Sequence, residues 1–168
     1  MVAQMKLDVG CGSRCRGDVG ITKTGEHSTC DATAHLDVDL EPLGFTYNPN
    51  APIIDGDLNE ADTIAMFGDR YPCAGPEVLC CHILEHMLAP SNLLFALSRR
   101  IKSSRVVIVV PNIVANWPVD YEDEGHLYSF TPASLSHLVS RYFKVQSVRL
   151  IANGLDILLE GCLKDERL

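Results

Sequence analysis

Apolar positions along the chain fall into short blocks separated by Gly, Pro and acidic residues. Leu7-Asp8-Val9 is a brief apolar stretch with one acid inside it, and Gly10 and Gly12 stop it; this predicts a buried strand that ends in a tight turn. Residues 13–33 are rich in Gly, Ser, Thr and Asp without helical period, which predicts a loop. His35-Leu36-Asp37-Val38-Asp39-Leu40-Glu41-Pro42 alternates apolar and acidic residues, which predicts a strand with a wet face, closed by proline. Ile53 to Leu58 predicts a further strand ending in acid. Asn59 then starts a helix with Asp62 as its capping partner, Ile64, Ala65 and Phe67 on its apolar side, and Gly68 as its stop.

Glu77 to His82 predicts a buried strand. Pro90 and Ser91 open a helix whose Leu94, Leu97 and Ile101 share a face. Val106 to Val110 is apolar throughout, as expected of a parallel strand covered on both sides. Residues 111–130 are irregular and carry Trp117, Asp120, Glu122, Asp123, Glu124, His126 and Tyr128, aromatic and ionisable residues after a central strand that suit a substrate lid. Thr131-Pro132 begins a helix with Leu135, Leu138, Val139 and Tyr142 along its buried stripe. Val145 to Ile151 and Asp156 to Leu163 flank Asn153-Gly154, which predicts a closing hairpin. Strands alternating with helices give an α/β layered fold with a mainly parallel sheet and a C-terminal antiparallel hairpin.

The chain has 168 residues, enough for one core, and is read as a single domain spanning 1–168. Its formal net charge of −8 argues against a general grip on nucleic acid, which needs clustered Lys and Arg. A small-molecule or protein partner suits that charge better. The first residues have no signal-peptide pattern, and Val106–Val110 is too short to span a bilayer, so a soluble cytoplasmic protein with no membrane partner is expected. None of the seven cysteines forms a C-x-x-C pair. Reduced thiols are the expectation, with a disulfide left open among Cys15, Cys30 and Cys73, which fall in loop-like stretches.

The carboxyl ends of parallel strands share one edge, and ligands bind along it. Gly10 and Gly12, Asp39, Asp57 and His82 follow one another at the predicted strand ends, and together they describe one elongated nucleoside pocket. An acid such as Asp39 at a strand end is suited to accept two ribose hydroxyls.

Five stretches carry a resemblance: Leu7-Asp8-Val9-Gly10-Cys11-Gly12, Val38-Asp39-Leu40-Glu41-Pro42, Ile54-Asp55-Gly56-Asp57-Leu58, His82-Ile83-Leu84-Glu85-His86 and Gly125-His126-Leu127-Tyr128-Ser129-Phe130-Thr131-Pro132. With them the chain resembles a small class I S-adenosylmethionine-dependent methyltransferase of the methyltransferase type 11 kind. That resemblance implies a Rossmann-like, doubly wound sheet and S-adenosyl-L-methionine as cofactor. It implies that Asp8, Gly10, Cys11 and Gly12 face the methionine part. Asp39 and Leu40 would serve the ribose, Asp57 and Leu58 the adenine, and His82 the pocket edge near the methyl. His126 and His82 are the candidate general bases, since imidazole titrates near neutrality. The reaction itself requires no metal, and no metal ligand is assigned.

Three other readings compete. His82-Ile83-Leu84-Glu85-His86 also fits H-x-x-E-H, a zinc-hydrolase motif that needs all three residues on one continuous helix. Here His82 ends a strand-like run, which disfavours it. A dinucleotide-binding G-x-G-x-x-G would need glycine where Cys15 stands. A methyltransferase-like fold that binds a ligand or partner without catalysis is the remaining alternative.

Overall fold

The computed structural model describes residues 4–11, 15–22, 34–60, 63, 75–116 and 125–164. Seven strands form one sheet: β1 (Lys6–Val9), β2 (Val19–Thr22), β3 (Ile53–Asp55), β4 (Glu77–Cys81), β5 (Arg105–Pro111), β6 (Phe143–Ile151) and β7 (Asp156–Leu163). Their order is β3-β2-β1-β4-β5-β7-β6. The first five strands run parallel, and β7 runs antiparallel between β5 and β6. The carboxyl ends of β1 to β5 therefore lie on one edge, and β7 starts there, with Asp156 opposite Pro111.

Strand alternation sends Leu7, Val9, Val78, Cys80, Val106, Ile108 and Val110 to one face. There they pack beneath α2 (Pro90–Arg99) and α4 (Pro132–Val139) through Leu93, Leu94, Leu97, Leu135 and Val139. Thr131 caps α4 with a reciprocal pair of bonds to Ser134. A short helix, α3 (Ile113–Asn116), follows β5. Leu79, Cys81, Val107, Val109 and Leu158 point to the opposite face.

That opposite face is covered by a segment the residue pattern misassigns. Residues 35–42, expected as a strand, form α1 (Asp37–Leu40) flanked by 3-10 turns at Ala34–Leu36 and Glu41–Leu43. Leu36 and Leu40 are fully buried, whereas Val38 between them is 76% exposed. The buried spacing is therefore four, the spacing of a helix face, and not the two of a strand. At the end of this segment Gly44 turns at φ +88°. Lys6 Nζ donates to the Gly44 carbonyl (2.7 Å) and Arg105 Nη1 to the Leu43 carbonyl (3.0 Å). Both cations meet the negative end of the turn. Arg105 is itself held by Glu160 (2.7 Å) and Glu77 (3.3 Å).

The second correction is β2 itself, which falls inside the expected loop. Only residues 10–18 link it to β1, fewer than the roughly dozen that a parallel crossover usually needs. A Cβ on Gly20 would lie 2.5 Å from Cys11 Sγ and 3.2 Å from Cys15 Sγ. Thus two thiols fill the place of a side chain over β2. The glycine that admits them also hides the strand's alternation.

Cys11, Cys15, Cys80, Cys81 and Cys162 are free thiols, and Cys30 and Cys73 lie outside the described residues. At the expected helix after β3, Asp57 Oδ1 accepts the Asn59 N–H (2.9 Å) and Thr63 is helical. Asp62, Ile64, Ala65, Phe67 and Gly68 lie outside the described residues. Among the described residues no helix is long and apolar enough to cross a membrane.

Candidate active site at the carboxyl edge of the sheet

Asp8 is fully buried on β1, on the face that carries α1. Its Oδ2 accepts the Arg16 backbone N–H at 2.6 Å, and Arg16 Nε donates to Asp37 Oδ1 at 2.8 Å. Asp8 Oδ1 has no hydrogen-bond partner among the described residues. Burial pushes the Asp8 carboxyl up from 3.8 to about 7, against the pull of the Arg16 N–H and the Arg16 charge. Gly10 follows at φ +78° and donates to the Ile21 carbonyl (2.8 Å). A Cβ there would lie 2.7 Å from the Ile83 side chain, so only glycine lets the end of β1 sit against the segment leaving β4. Cys11 is buried, and Gly12 lies outside the described residues.

His82 stands directly after β4 at φ +51°, an uncommon conformation for a non-glycine residue. Its Nε2 donates to Asp156 Oδ1 at 2.9 Å, while Asp156 Oδ2 lies 3.5 Å from His35 Nε2. Burial works against a charged His82, but the Asp156 hydrogen bond and the Glu85 and Asp156 charges outweigh it and raise its pKa. The left-handed bend separates His82 from the single 3-10 turn Leu84–His86. The continuous helix that H-x-x-E-H requires is therefore absent. Glu85 and His86 turn instead toward residues 125–128. The Glu85 carbonyl accepts the N–H groups of Leu127 (2.7 Å) and Tyr128 (3.1 Å). His86 Nδ1 lies 2.8 Å from the Gly125 carbonyl, and the His86 and His126 rings sit 4.7 Å apart, edge to face.

Topology thus brings Asp8, Gly10, Cys11 and His82 to one edge, with Asp57 and Leu58 just beyond β3 on the same edge. Asp57 is half-buried, and the buried Leu58 lines a hollow of about 170 Å³ together with Asn59, Asn92 and Phe95. Asp39 and Leu40 are not at a strand end. Both lie on α1, where Leu40 is packed into the core and Asp39 is half-buried on the helix surface. The acid that reaches the strand-end network is Asp37, through Arg16.

The residues missed from the sequence are Arg16, Asp37, Asp156 and His35. Only Asp156 had a readable signal, as the first residue of a return strand that must begin at this edge. Trp117 and the acidic residues 120–124 lie outside the described residues.

No protein-family model matches the sequence, and neither does any curated protein. Solved structures do match. One is a chain of the complex between the Haloferax volcanii Trm112 methyltransferase activator and a methyltransferase (TM-score 0.66, 12% identity, 98% of this chain and 84% of that one). Another is the small RNA methyltransferase HEN1 (TM-score 0.64, 13% identity, 100% of this chain but 24% of that one). A third is a methyltransferase from Bacillus halodurans C-125 (TM-score 0.58, 11% identity, 96% and 93%). Strand order, strand direction and these neighbours agree: the chain has the Rossmann-like fold of class I S-adenosylmethionine-dependent methyltransferases.

Proposed function

We propose that this chain binds S-adenosylmethionine along the carboxyl edge of its sheet and transfers the methyl group to a small molecule or a protein side chain. The observation that carries this reading is Asp8. A buried carboxylate at the end of β1, with one oxygen unpartnered among the described residues, suits the ammonium group of the cofactor's methionine part. Gly10 and Cys11 border that group, and Gly12 joins them by resemblance. Asp57 and Leu58 stand on the side assigned to the adenine. Asp39 and Leu40, as helix residues, are left out of the site.

When bound, the cofactor supplies an activated methyl group. The protein's own part is to hold, orient and exclude water. His82 is fixed by Asp156, and its raised pKa favours the protonated ring, so it serves better as a positioning cation than as a base. That leaves His126, half-buried beside His86, as the imidazole for a protonated acceptor. The net charge of −8 supports an acceptor that is not a polyanion.

Thermal shift and calorimetry with S-adenosylmethionine, S-adenosylhomocysteine and a nicotinamide dinucleotide test the proposal. At about 100 times Kd the first two should each add about 2.7 kcal/mol, or roughly 5 to 10 °C in Tm. A shift with the dinucleotide alone, or with none of the three, overturns it.

A further inference from the structure

We infer that Glu85, His86 and His126 form a binding site for one divalent transition-metal cation. A ligand atom from each residue lies within 4.8 Å of the other two. Bonds of about 2.0–2.2 Å to a tetrahedral ion put its ligand atoms roughly 3.3 Å apart. Modest side-chain rotation therefore closes the three onto a common centre. The inference goes beyond the proposed function and does not depend on it, but it revises one role there: a His126 nitrogen that binds the ion cannot also take the acceptor's proton. It also departs from the expectation that no residue here ligates a metal.

Two features make the cluster more than a chance meeting. The first is the His86 tautomer. A carbonyl only accepts, so the 2.8 Å contact with Gly125 places a proton on Nδ1, and in the neutral ring Nε2 is then the nitrogen that carries the lone pair. Metal-ligating histidines are held in this way, with the far ring nitrogen donating to a carbonyl or carboxylate.

The second is backbone anchoring. The segment carrying His126 is pinned to the segment carrying Glu85 and His86 by the paired N–H groups of Leu127 and Tyr128 on the Glu85 carbonyl. Tyr128 Oη adds a bond to the Leu88 carbonyl. The spacing of the three ligands is thus set by main-chain bonds and not by side-chain collapse.

Chemistry selects the ion. Two imidazoles and one carboxylate suit Zn²⁺, Co²⁺ or Mn²⁺ better than Ca²⁺, which takes six to eight oxygens. Three protein ligands leave at least one position for water or another oxygen donor. Glu85 is 1% exposed while both histidines are half-buried, so the ion has a route from solvent. The pattern H-x-x-E-H thus contributes its last two members, while His82 is engaged by Asp156 and its place is taken by His126, forty residues beyond His86.

The test uses the full chain, stripped with chelator and titrated with Co²⁺ and Zn²⁺ alone. One equivalent of each should bind, and Zn²⁺ should displace Co²⁺. The cobalt absorption should be that of nitrogen and oxygen ligands, without a thiolate charge-transfer band. His126→Ala and His86→Ala should each weaken binding at least about a hundredfold, the upper end of what losing an outer-shell partner costs. Circular dichroism of the metal-free variants checks folding, and His126→Gln replaces any variant that fails it. A thiolate band, affinity within threefold of wild type in the folded histidine variants, or no binding at micromolar cobalt overturns the inference. None of these readouts involves a nucleoside, so failure of the proposed function would leave them unchanged.

Discussion

Replacing Asp8 by Asn removes a charge from the interior while keeping the shape that accepts the Arg16 N–H. Burial holds this carboxyl at about 7 in the folded chain, against 3.8 when exposed. Between those two values the native state keeps a proton that the unfolded state has released, so stability falls as pH rises, and the loss is complete above about pH 7. A shift of about three units corresponds to about 4 kcal/mol at alkaline pH. Between about pH 5 and pH 8 the native state should lose about 2 to 3 kcal/mol through this one group.

Asn does not titrate and escapes that loss. Its amide instead places an N–H₂ where Oδ1 has no partner among the described residues, at a cost of about 1–3 kcal/mol. Urea unfolding of both proteins at a series of pH values measures the difference. The stability of Asp8→Asn relative to wild type should climb by about 2 to 3 kcal/mol from about pH 5 to pH 8. Parallel pH profiles would refute a protonated, buried Asp8. The same variant should bind S-adenosylmethionine at least tenfold more weakly, because the ammonium group favours the ionised form of Asp8 and finds no counter-charge in Asn.

Other variants probe the fold and the edge. Leu40→Ala should cost about 2–5 kcal/mol in denaturant titration, whereas Val38→Lys should stay within about 0.5 kcal/mol; equal costs would restore the strand reading of residues 35–42. Gly20→Ala should cost about 1–3 kcal/mol by the same measurement, and Cys11→Ala in the same chain should recover part of that, since the new methyl collides with the Cys11 thiol. His82→Gln removes a group whose folded pKa is raised. Wild type should therefore exceed the variant most below about pH 6.5, with the advantage fading as pH rises through the raised value. A pH-independent difference would show that the His82–Asp156 contact carries no charge.

The central sheet was legible because its strands are dense in buried apolar residues. Val106 to Val110 has no polar break, and its residues alternate between the core clusters on the two faces of the sheet, so both of its faces are covered. Residues 35–42 misled for a physical reason. Leu36, Val38 and Leu40 are consistent with period two, and Leu36 and Leu40 alone with a helix; only burial decides that Val38 is the odd one out. β2 was illegible because two of its four residues are Gly20 and Thr22, and Cys11 and Cys15 supply the packing that a side chain at position 20 would give. At the edge, Asp8, Gly10 and His82 could be placed from their positions at strand ends. Arg16 could not, because a residue pattern does not give the path of a loop, and His35 and Asp37 could not, because they arrive there on helical turns that the pattern gives as a strand.

The placement of β7 has a bearing on how the molecule is made. Asp156, which holds His82 and reaches His35, belongs to the last strand, yet that strand is inserted between β5 and β6 in the interior of the sheet. During synthesis the first five strands leave the ribosome long before it does. Until residues 156–163 slot in, the flank of β5 stays bare and His82 lacks its carboxylate. Ligand-competent geometry at this edge therefore requires β7 to be in place.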